Sequence, residues 1–201
     1  MKRTLIINGS PRINGDTVAL LKELRKYLQG EIIEVSAFRS NIAPCIDCRG
    51  CSKTARCVVK DEMSILYDDD FDNVVLASPV YYATLPGQVL SLLSRFQPQH
   101  AATYFLNIPL DLKPKKAALI LTAGGRGNEA GTKHHVRCLF RMLNAHGYEE
   151  HTVMSTRTDY IPAKDDEAAL AGVRKLAEWL NDAQLDNVDR RTVPLSSPSV
   201  L

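Results

Sequence analysis

The chain of 201 residues contains no apolar run close to the roughly 20 residues that a transmembrane helix requires. Met1-Lys2-Arg3 leads directly into a short strand-like segment, without the apolar stretch of a signal peptide. No excess of one charge is present either, because 25 Lys and Arg oppose 23 Asp and Glu, mixed along the chain. These absences argue against a membrane protein and against a binder of nucleic acid or anionic lipid, and they predict a cytoplasmic protein.

The sequence also lacks the residue patterns of a disulfide framework and of a hydrolase. Five cysteines are an odd number, and four of them lie between Cys45 and Cys57. This clustering favours reduced thiols in a reducing compartment. No Ser-His-Asp, Cys-His or paired-carboxylate constellation is visible, and the first loop lacks the Gly-Lys-Ser/Thr of a Walker P-loop.

What the sequence does contain is an alternation of apolar runs with amphipathic helical patterns, which predicts β-α-β units and a parallel sheet. One α/β domain is expected over residues 1–185, with a cysteine-rich loop at 43–60. The tail 186–201, with Pro194, Pro198 and several serines, is expected to be flexible or to contact a partner. The predicted strands are residues 4–8, 31–35, 73–77, 117–121 and 151–154.

Three loops follow predicted strands of this sheet, at residues 9–16, 78–85 and 122–131. Ligands of doubly wound sheets bind at the carboxyl ends of the strands, beside the point where the strand order reverses. Loops rich in Gly, Ser, Pro, Tyr and Asn at that edge therefore predict a single pocket.

The first loop leads from a strand into a helix, where free backbone N–H groups and the positive helix end favour an anion. Hydroxyl, guanidinium and turn-forming residues in the loop suit a terminal monophosphate. Asp16 lies among them, and its carboxylate is expected to point away from the phosphate, toward the cap of the helix. The predicted phosphate residues are Ser10, Arg12, Asn14, Gly15, Asp16 and Thr17.

The other two loops supply the surroundings of a flat ring. Two adjacent aromatic residues in a strand-end loop can hold a ring by stacking and edge contacts, and a flavin fits this description. In the third loop, residues 125–130 match the spacing of a dinucleotide fingerprint, but too few strands follow to build a second βαβ half. The residues predicted from these loops are Ser78, Pro79, Val80, Tyr81, Tyr82, Thr122, Ala123, Gly124 and Gly125.

Taken together, Asn8-Gly9-Ser10-Pro11-Arg12 through Thr17, Ser78-Pro79-Val80-Tyr81-Tyr82, and Gly87-Gln88 ahead of Arg95 resemble the NADPH-dependent FMN reductase superfamily. The resemblance covers about the first 155 residues. It implies a flavodoxin-like five-stranded sheet of order 2-1-3-4-5 with helices on both faces. It also implies FMN, with the phosphate on the first loop and the ring against the other two loops, and a homodimer or homotetramer.

Within that superfamily the cysteines resemble the compact motif of the iron-sulfur flavoproteins. Cys45, Cys48, Cys51 and Cys57 form C-x2-C-x2-C-x5-C, and four thiolates on one tight loop could hold a single 4Fe-4S cluster. They could also bind zinc, although structural zinc sites more often use two separated pairs. Free or packed cysteines without metal are the third alternative, and the sequence leaves all three open.

The predicted function is an FMN-dependent oxidoreductase that takes electrons from NAD(P)H. Its small-molecule acceptor would be a quinone, a nitro or azo compound, a free flavin or a small electron carrier. A second hypothesis is a ferredoxin-linked electron carrier without NAD(P)H turnover, and a third is a zinc-stapled flavin-binding module without turnover.

Overall fold

The computed structural model of the chain describes residues 1–127 and 130–182. The prediction for the tail at 186–201 falls outside these residues. A parallel sheet forms the centre of the structure, in the predicted order β2-β1-β3-β4-β5, and β6 also pairs with β4. The strands are β1 (Arg3–Asn8), β2 (Glu31–Ser36), β3 (Asn73–Pro79), β4 (Lys115–Ala123), β5 (Ala145–His146) and β6 (Thr152–Thr156).

The fifth position of the sheet differs from the prediction, because two short strands share it. β5 pairs with the start of β4 at Lys115, whereas β6 pairs with its later part from Leu119 onward. Between them the chain turns at Gly147, whose φ of 90° suits glycine far better than residues with a side chain. The predicted edge strand at 151–154 is thus the second half of a divided strand.

Helices cover both faces of the sheet, as a parallel sheet requires. On one face, Leu20 and Leu24 of α1 and Val173 of α7 join a core with Ile6 and Ile120. On the other face, the core includes Leu66, Val89 and Phe140 from three helices. The helices are α1 (Asp16–Tyr27), α2 (Cys51–Thr54), α3 (Ser64–Tyr67), α4 (Gly87–Leu93), α5 (Gln97–Tyr104), α6 (Ala130–Met142) and α7 (Glu167–Asn181).

Two helical segments are absent from the sequence-based prediction. A short helix, α2, lies inside the cysteine-rich loop and ends at Ala55 in the left-handed region, with a φ of 56°. After α4, a 3-10 turn over Ser94–Phe96 leads into α5, which has Pro98 in its first turn. In the described part of the chain, no helix is both long and apolar enough to cross a membrane.

Candidate functional site

The three predicted loops meet at one edge of the sheet because β1, β3 and β4 are neighbours and run in the same direction. Asn8, the last residue of β1, is in register with Ala77 of β3, and Pro79 at the end of β3 is in register with Thr122 of β4. The backbone N–H of Gly9 donates to the carbonyl of Ala77 over 2.7 Å, so pairing continues into the first loop.

A small cavity of about 100 Å³ lies between these loops. It also reaches a fourth segment, after β6, that the sequence reasoning did not assign to the site. The parallel order of the strands could have indicated this segment, because the chain after β6 emerges at the same edge as the other loops. The lining residues are Ser10, Pro11, Arg12, Thr17, Pro79, Val80, Tyr81, Thr122, Gly124, Thr158 and Asp159.

Hydroxyl groups join the first and third loops across this cavity. The Thr17 hydroxyl lies 2.7 Å from that of Thr122, and both residues are buried. Ser10 is also buried, and its backbone N–H donates to the Asn8 side chain. The first intrahelical bond of α1 runs from Ala19 to Gly15, so the earlier N–H groups of the helix lack helical acceptors. Helix N–H donors and hydroxyls beside one small cavity form a good phosphate site.

Arg12 and Asp16 form an ion pair of 2.9 Å four residues apart, in which the Arg12 side chain is largely exposed. The second Asp16 oxygen accepts the backbone N–H of Ala163, just before α7. Asp16 is therefore not part of the cavity lining. It does not cap its own helix, whose N-cap is Gly15. Both Asp16 carboxylate oxygens thus have partners within the protein.

Gly9 has a role in the site that the sequence reasoning left out. A Cβ atom at this position would lie 2.7 Å from the Ser78 hydroxyl and 2.8 Å from a methyl group of Val89. These distances are shorter than normal contacts, so only glycine lets the first loop approach the second so closely. The glycine of the Asn-Gly-Ser sequence is thus explained by packing.

The second loop forms a tight turn in which Tyr81 and Thr84 exchange backbone hydrogen bonds. Tyr82, with a φ of 48°, is fully exposed, whereas Tyr81 is about half exposed and lines the cavity. The two tyrosines are therefore in different environments. The predicted residues that lie outside the cavity lining are Asn14, Gly15, Asp16, Ser78, Tyr82, Ala123 and Gly125.

A negative group also lies at the cavity, although a phosphate would be repelled by it. The Asp159 carboxylate lies so close to Gly124 that a Cβ atom there would be 2.4 Å from it. Arg12 is the cation among the lining residues. Because Arg12 is already paired with Asp16, the Asp159 carboxylate is not offset by a cation among the lining residues.

A second region contains the four clustered cysteines. Cys45, Cys48, Cys51 and Cys57 are free thiols and all line one cavity of about 500 Å³. Burial raises the pKa of the Cys51 thiol, and the neighbouring cysteines add to this rise. Within residues 1–127 and 130–182, no three His, Cys, Asp or Glu side chains are gathered closely enough to hold a metal ion. The structure thus brings the four cysteines to one cavity, but within the described residues they do not form a metal-binding group, so this finding supports neither the 4Fe-4S nor the zinc alternative.

Arg95 is the buried cation of this region and one of the lining residues of the cysteine cavity. It forms an ion pair of 2.6 Å with Asp61, and the neighbouring guanidinium keeps the pKa of the Asp61 carboxyl below its usual value. It also donates to the Cys57 sulfur over 3.4 Å. Its Nε–H is buried and has no hydrogen-bond partner within the described residues. A buried free donor beside four thiols fits a group that carries negative sulfur atoms.

The sequence is similar to a family of flavin-dependent reductases and to individual iron-sulfur flavoproteins. Residues 2–159 match the family described as NADPH-dependent FMN reductase. An iron-sulfur flavoprotein of Methanocaldococcus jannaschii is 27% identical over 140 residues, which are 67% of this chain and 69% of that protein. Another, from Methanosarcina thermophila, is 24% identical over 186 residues, or 88% and 92% of the two chains.

Solved structures with similar folds are more distant in sequence. An NAD(P)H:quinone oxidoreductase from Methanothermobacter marburgensis has a TM-score of 0.67 at 13% identity, over 91% of this chain and 98% of the other. An FMN-dependent NADH-azoreductase from Bacillus anthracis, in complex with FMN, has a TM-score of 0.60 at 14% identity, over 90% and 100%. These likenesses confirm the flavodoxin-like fold. With the family match over most of its length, the chain belongs to the NADPH-dependent FMN reductase family of FMN-binding oxidoreductases.

Proposed function

We propose that this flavoprotein takes electrons from NAD(P)H and passes them to a small acceptor in the cytoplasm. The acceptor would be a quinone, a nitro or azo compound, a free flavin or a small electron carrier. The observation that carries the proposal is the convergence of three loops and the 158–159 segment on one phosphate-sized cavity at the carboxyl edge of the sheet.

The residues of the cavity suggest how the chain would hold FMN. With the Thr122 hydroxyl donating to that of Thr17, the Thr17 hydroxyl would donate its own proton to the phosphate, together with the free N–H groups of the first turn of α1. Arg12, now paired with Asp16, could add a charged contact. Pro79 and Tyr81 lie on the other side of the same cavity, where the ring would begin.

When bound, FMN supplies the acceptance of a hydride and the release of electrons singly or in pairs. The part of the protein is to hold the ring at the edge of the sheet and to leave room for the donor. The full exposure of Tyr82 leaves an aromatic surface near the second loop, against which a flat donor or acceptor can pack.

The first experiment is an FMN titration, followed by anaerobic stopped-flow mixing with NADPH or NADH. Rapid bleaching of the flavin absorption by either nucleotide supports the proposal, and a flavin that neither nucleotide reduces contradicts it. Arg12→Gln should weaken FMN binding several-fold. Lys22→Gln, which removes an exposed positive charge from the same helix, is the matched control.

A second candidate function is that of an iron-sulfur flavoprotein that receives electrons from ferredoxin, without NAD(P)H turnover. It is favoured by the placement of Cys45, Cys48, Cys51 and Cys57 around one cavity, and by the names of the two iron-sulfur flavoproteins to which the chain is similar. Four thiolates around one cavity can hold a 4Fe-4S cluster, which would pass single electrons toward FMN.

Purification without oxygen, followed by iron, sulfide and zinc assays, tests this candidate. About four irons and four sulfides per chain would establish the cluster. Zinc without sulfide would instead favour the third hypothesis, a flavin-binding module whose cysteines hold zinc and which has no turnover. Rapid flavin reduction by reduced ferredoxin, with none by NADPH, would then favour the carrier over the reductase.

We further propose a homodimer or homotetramer. Tyr104, Phe105 and Ile108 are large apolar side chains that are each about half exposed or more, next to the cysteine cavity. Such a cluster on a single subunit is typical of a surface that another subunit covers. Analytical ultracentrifugation of the FMN-bound protein tests this proposal, and a monomer at micromolar concentration would contradict it.

A further inference from the structure

Arg95 is the largest side chain that is fully buried, with 1% of its surface exposed. It follows α4 in the chain, in the 3-10 turn at Ser94–Phe96, and it points toward the cysteine-rich loop. None of the phosphate-site residues contacts it. A guanidinium without access to water must find its partners within the protein, so its contacts show what it does.

These contacts join the two ends of the cysteine-rich loop. One guanidinium nitrogen donates to the carbonyl of Ala43, just before Cys45, over 2.6 Å. Both terminal nitrogens contact the Asp61 carboxylate, at 2.6 and 3.1 Å, just after the loop. Asp61 in turn accepts the N–H of Ala43, so the two ends of the loop are fastened twice.

Of the four cysteines, Arg95 forms a side-chain hydrogen bond with Cys57. A terminal nitrogen of Arg95 donates to the sulfur of Cys57, while the buried Nε–H has no acceptor in the described chain. The backbone N–H of Cys45 is held separately, by the hydroxyl of Ser94. Arg95 therefore offers a hydrogen bond, and not only a charge, to the sulfur of Cys57.

Other cations of the loop are much weaker candidates for this role. Arg49 is about four-fifths exposed and pairs at 3.5 Å with the equally exposed Asp47. Lys53 and Arg56 are also exposed. Water screens such charges, whereas a buried guanidinium acts through a medium of low dielectric constant.

We propose that Arg95 is a positioning residue of the cysteine site, which holds Cys57 in place and raises the reduction potential of the group bound there. This inference rests on the proposed iron-sulfur cluster. Hydrogen bonds to ligand sulfurs, together with nearby positive charge, stabilise the more negative reduced cluster and so raise its potential. No covalent bond is made or broken at Arg95.

The test is a redox titration of the anaerobically reconstituted holoprotein, followed by electron paramagnetic resonance. Arg95→Met should lower the cluster potential by about 59 mV, which is a tenfold change in the one-electron equilibrium constant. Arg95→Lys keeps the charge but offers fewer donors, so it should restore part of the shift. Arg49→Met is the matched control, because it removes an exposed charge from the same loop. Equal potentials in the Arg95→Met and Arg49→Met proteins would overturn the inference.

A second measurement separates this inference from the proposed cluster. If the wild-type protein takes up neither iron nor sulfide, the cluster is contradicted, and hydrogen exchange of the metal-free protein decides the positioning role. Arg95→Lys, which retains a cation for Asp61, should then increase exchange at the amides of Ala43 and Cys45, and Arg49→Met should not. Unchanged protection at both amides would overturn the positioning role as well.

Discussion

The sheet-edge cavity and the cysteine cavity are held together by different kinds of interaction. At the carboxyl edge of the sheet, where we propose that FMN binds, the cavity of about 100 Å³ is surrounded by backbone groups, hydroxyls and close glycine contacts at the ends of neighbouring strands. At the cysteine cavity of about 500 Å³, a long loop is held by the buried ion pair between Arg95 and Asp61, together with side-chain hydrogen bonds to the backbone of Ala43 and Cys45. The first site is therefore a consequence of the sheet, whereas the second depends on a few side chains. Substitutions at the two sites should therefore differ in their effects on the stability of the protein and on FMN binding.

The largest effect is expected from Asp61→Asn, which leaves the buried Arg95 guanidinium without a counter-charge. Removing one partner of a buried ion pair costs about 3–5 kcal/mol in the free energy of unfolding. Glu31→Gln is the control, because its ion pair with Arg3 joins side chains that are 43% and 24% exposed and the expected loss is about 1 kcal/mol or less. Urea unfolding monitors both, and equal losses would contradict the difference between the two regions.

The ion pair between Asp61 and Arg95 should also make the free energy of unfolding depend on pH. The pKa of Asp61 is lowered in the folded protein, chiefly by the hydrogen bond from Arg95. Its contribution is therefore complete above the ordinary aspartate pKa of about 3.9, and it is lost as the pH falls through the lowered folded value. Urea midpoints measured between about pH 7 and pH 3 should fall less steeply for Asp61→Asn than for wild type, and parallel curves would contradict the prediction.

Gly9→Ala should instead disturb the packing of the first loop against its neighbours at the sheet edge. The new methyl group would meet Ser78 and Val89 at less than 3 Å, and overpacking of this kind costs about 1–3 kcal/mol. FMN should also bind more weakly, because the first loop must move away from the second. Gly87→Ala is the matched control, since no atom lies within 4 Å of its added Cβ. Thermal unfolding and flavin fluorescence titration measure the two effects.

Thr17→Val should have a moderate effect on FMN binding alone. The variant loses the hydroxyl contact with Thr122 and one donor to the phosphate, worth about 1 kcal/mol, or roughly a fivefold change in affinity. Thr152→Val, which loses a hydroxyl bond to the carbonyl of Tyr148 at the sheet edge, serves as the control. If both variants bind FMN equally well, Thr17 does not contact the phosphate.

The smallest effect is expected from Asp159→Asn, and it should be a gain. This carboxylate lines the cavity, where it repels a phosphate, so its removal should tighten FMN binding by about twofold to fivefold. Riboflavin, which lacks the phosphate, should bind equally well to both proteins. Asp165→Asn removes a charge from the neighbouring surface as a control. A gain for riboflavin as large as that for FMN would contradict this role of Asp159.

The sequence could predict the convergence of the three loops at one sheet edge because its signals are local. Apolar runs mark β1, β3 and β4, each is followed by turn-forming residues, and the parallel order brings those loops together. The 158–159 segment was missed although the predicted strand at 151–154 leads to it, because Thr158 and Asp159 lack the glycine-rich and turn-forming composition by which the other loops were recognised.

The contacts of the cysteine region could not be predicted in the same way. The pattern of four cysteines is visible in the sequence, but the Arg95 bond to Asp61 spans 34 positions and its bond to Cys57 spans 38. No periodicity connects residues so far apart. The short helix α2 within the loop was missed for a similar reason, since four residues are too few for a helical pattern.

The bond between Asp16 and the N–H of Ala163 has a consequence for how the protein is made. It connects the first loop to a residue 147 positions later in the chain. A ribosome must therefore release most of the polypeptide before this contact can form, and such distant contacts are closed late in folding. We expect the nascent chain to acquire its flavin only after α7 has docked beside α1, so that loading with cofactor follows synthesis.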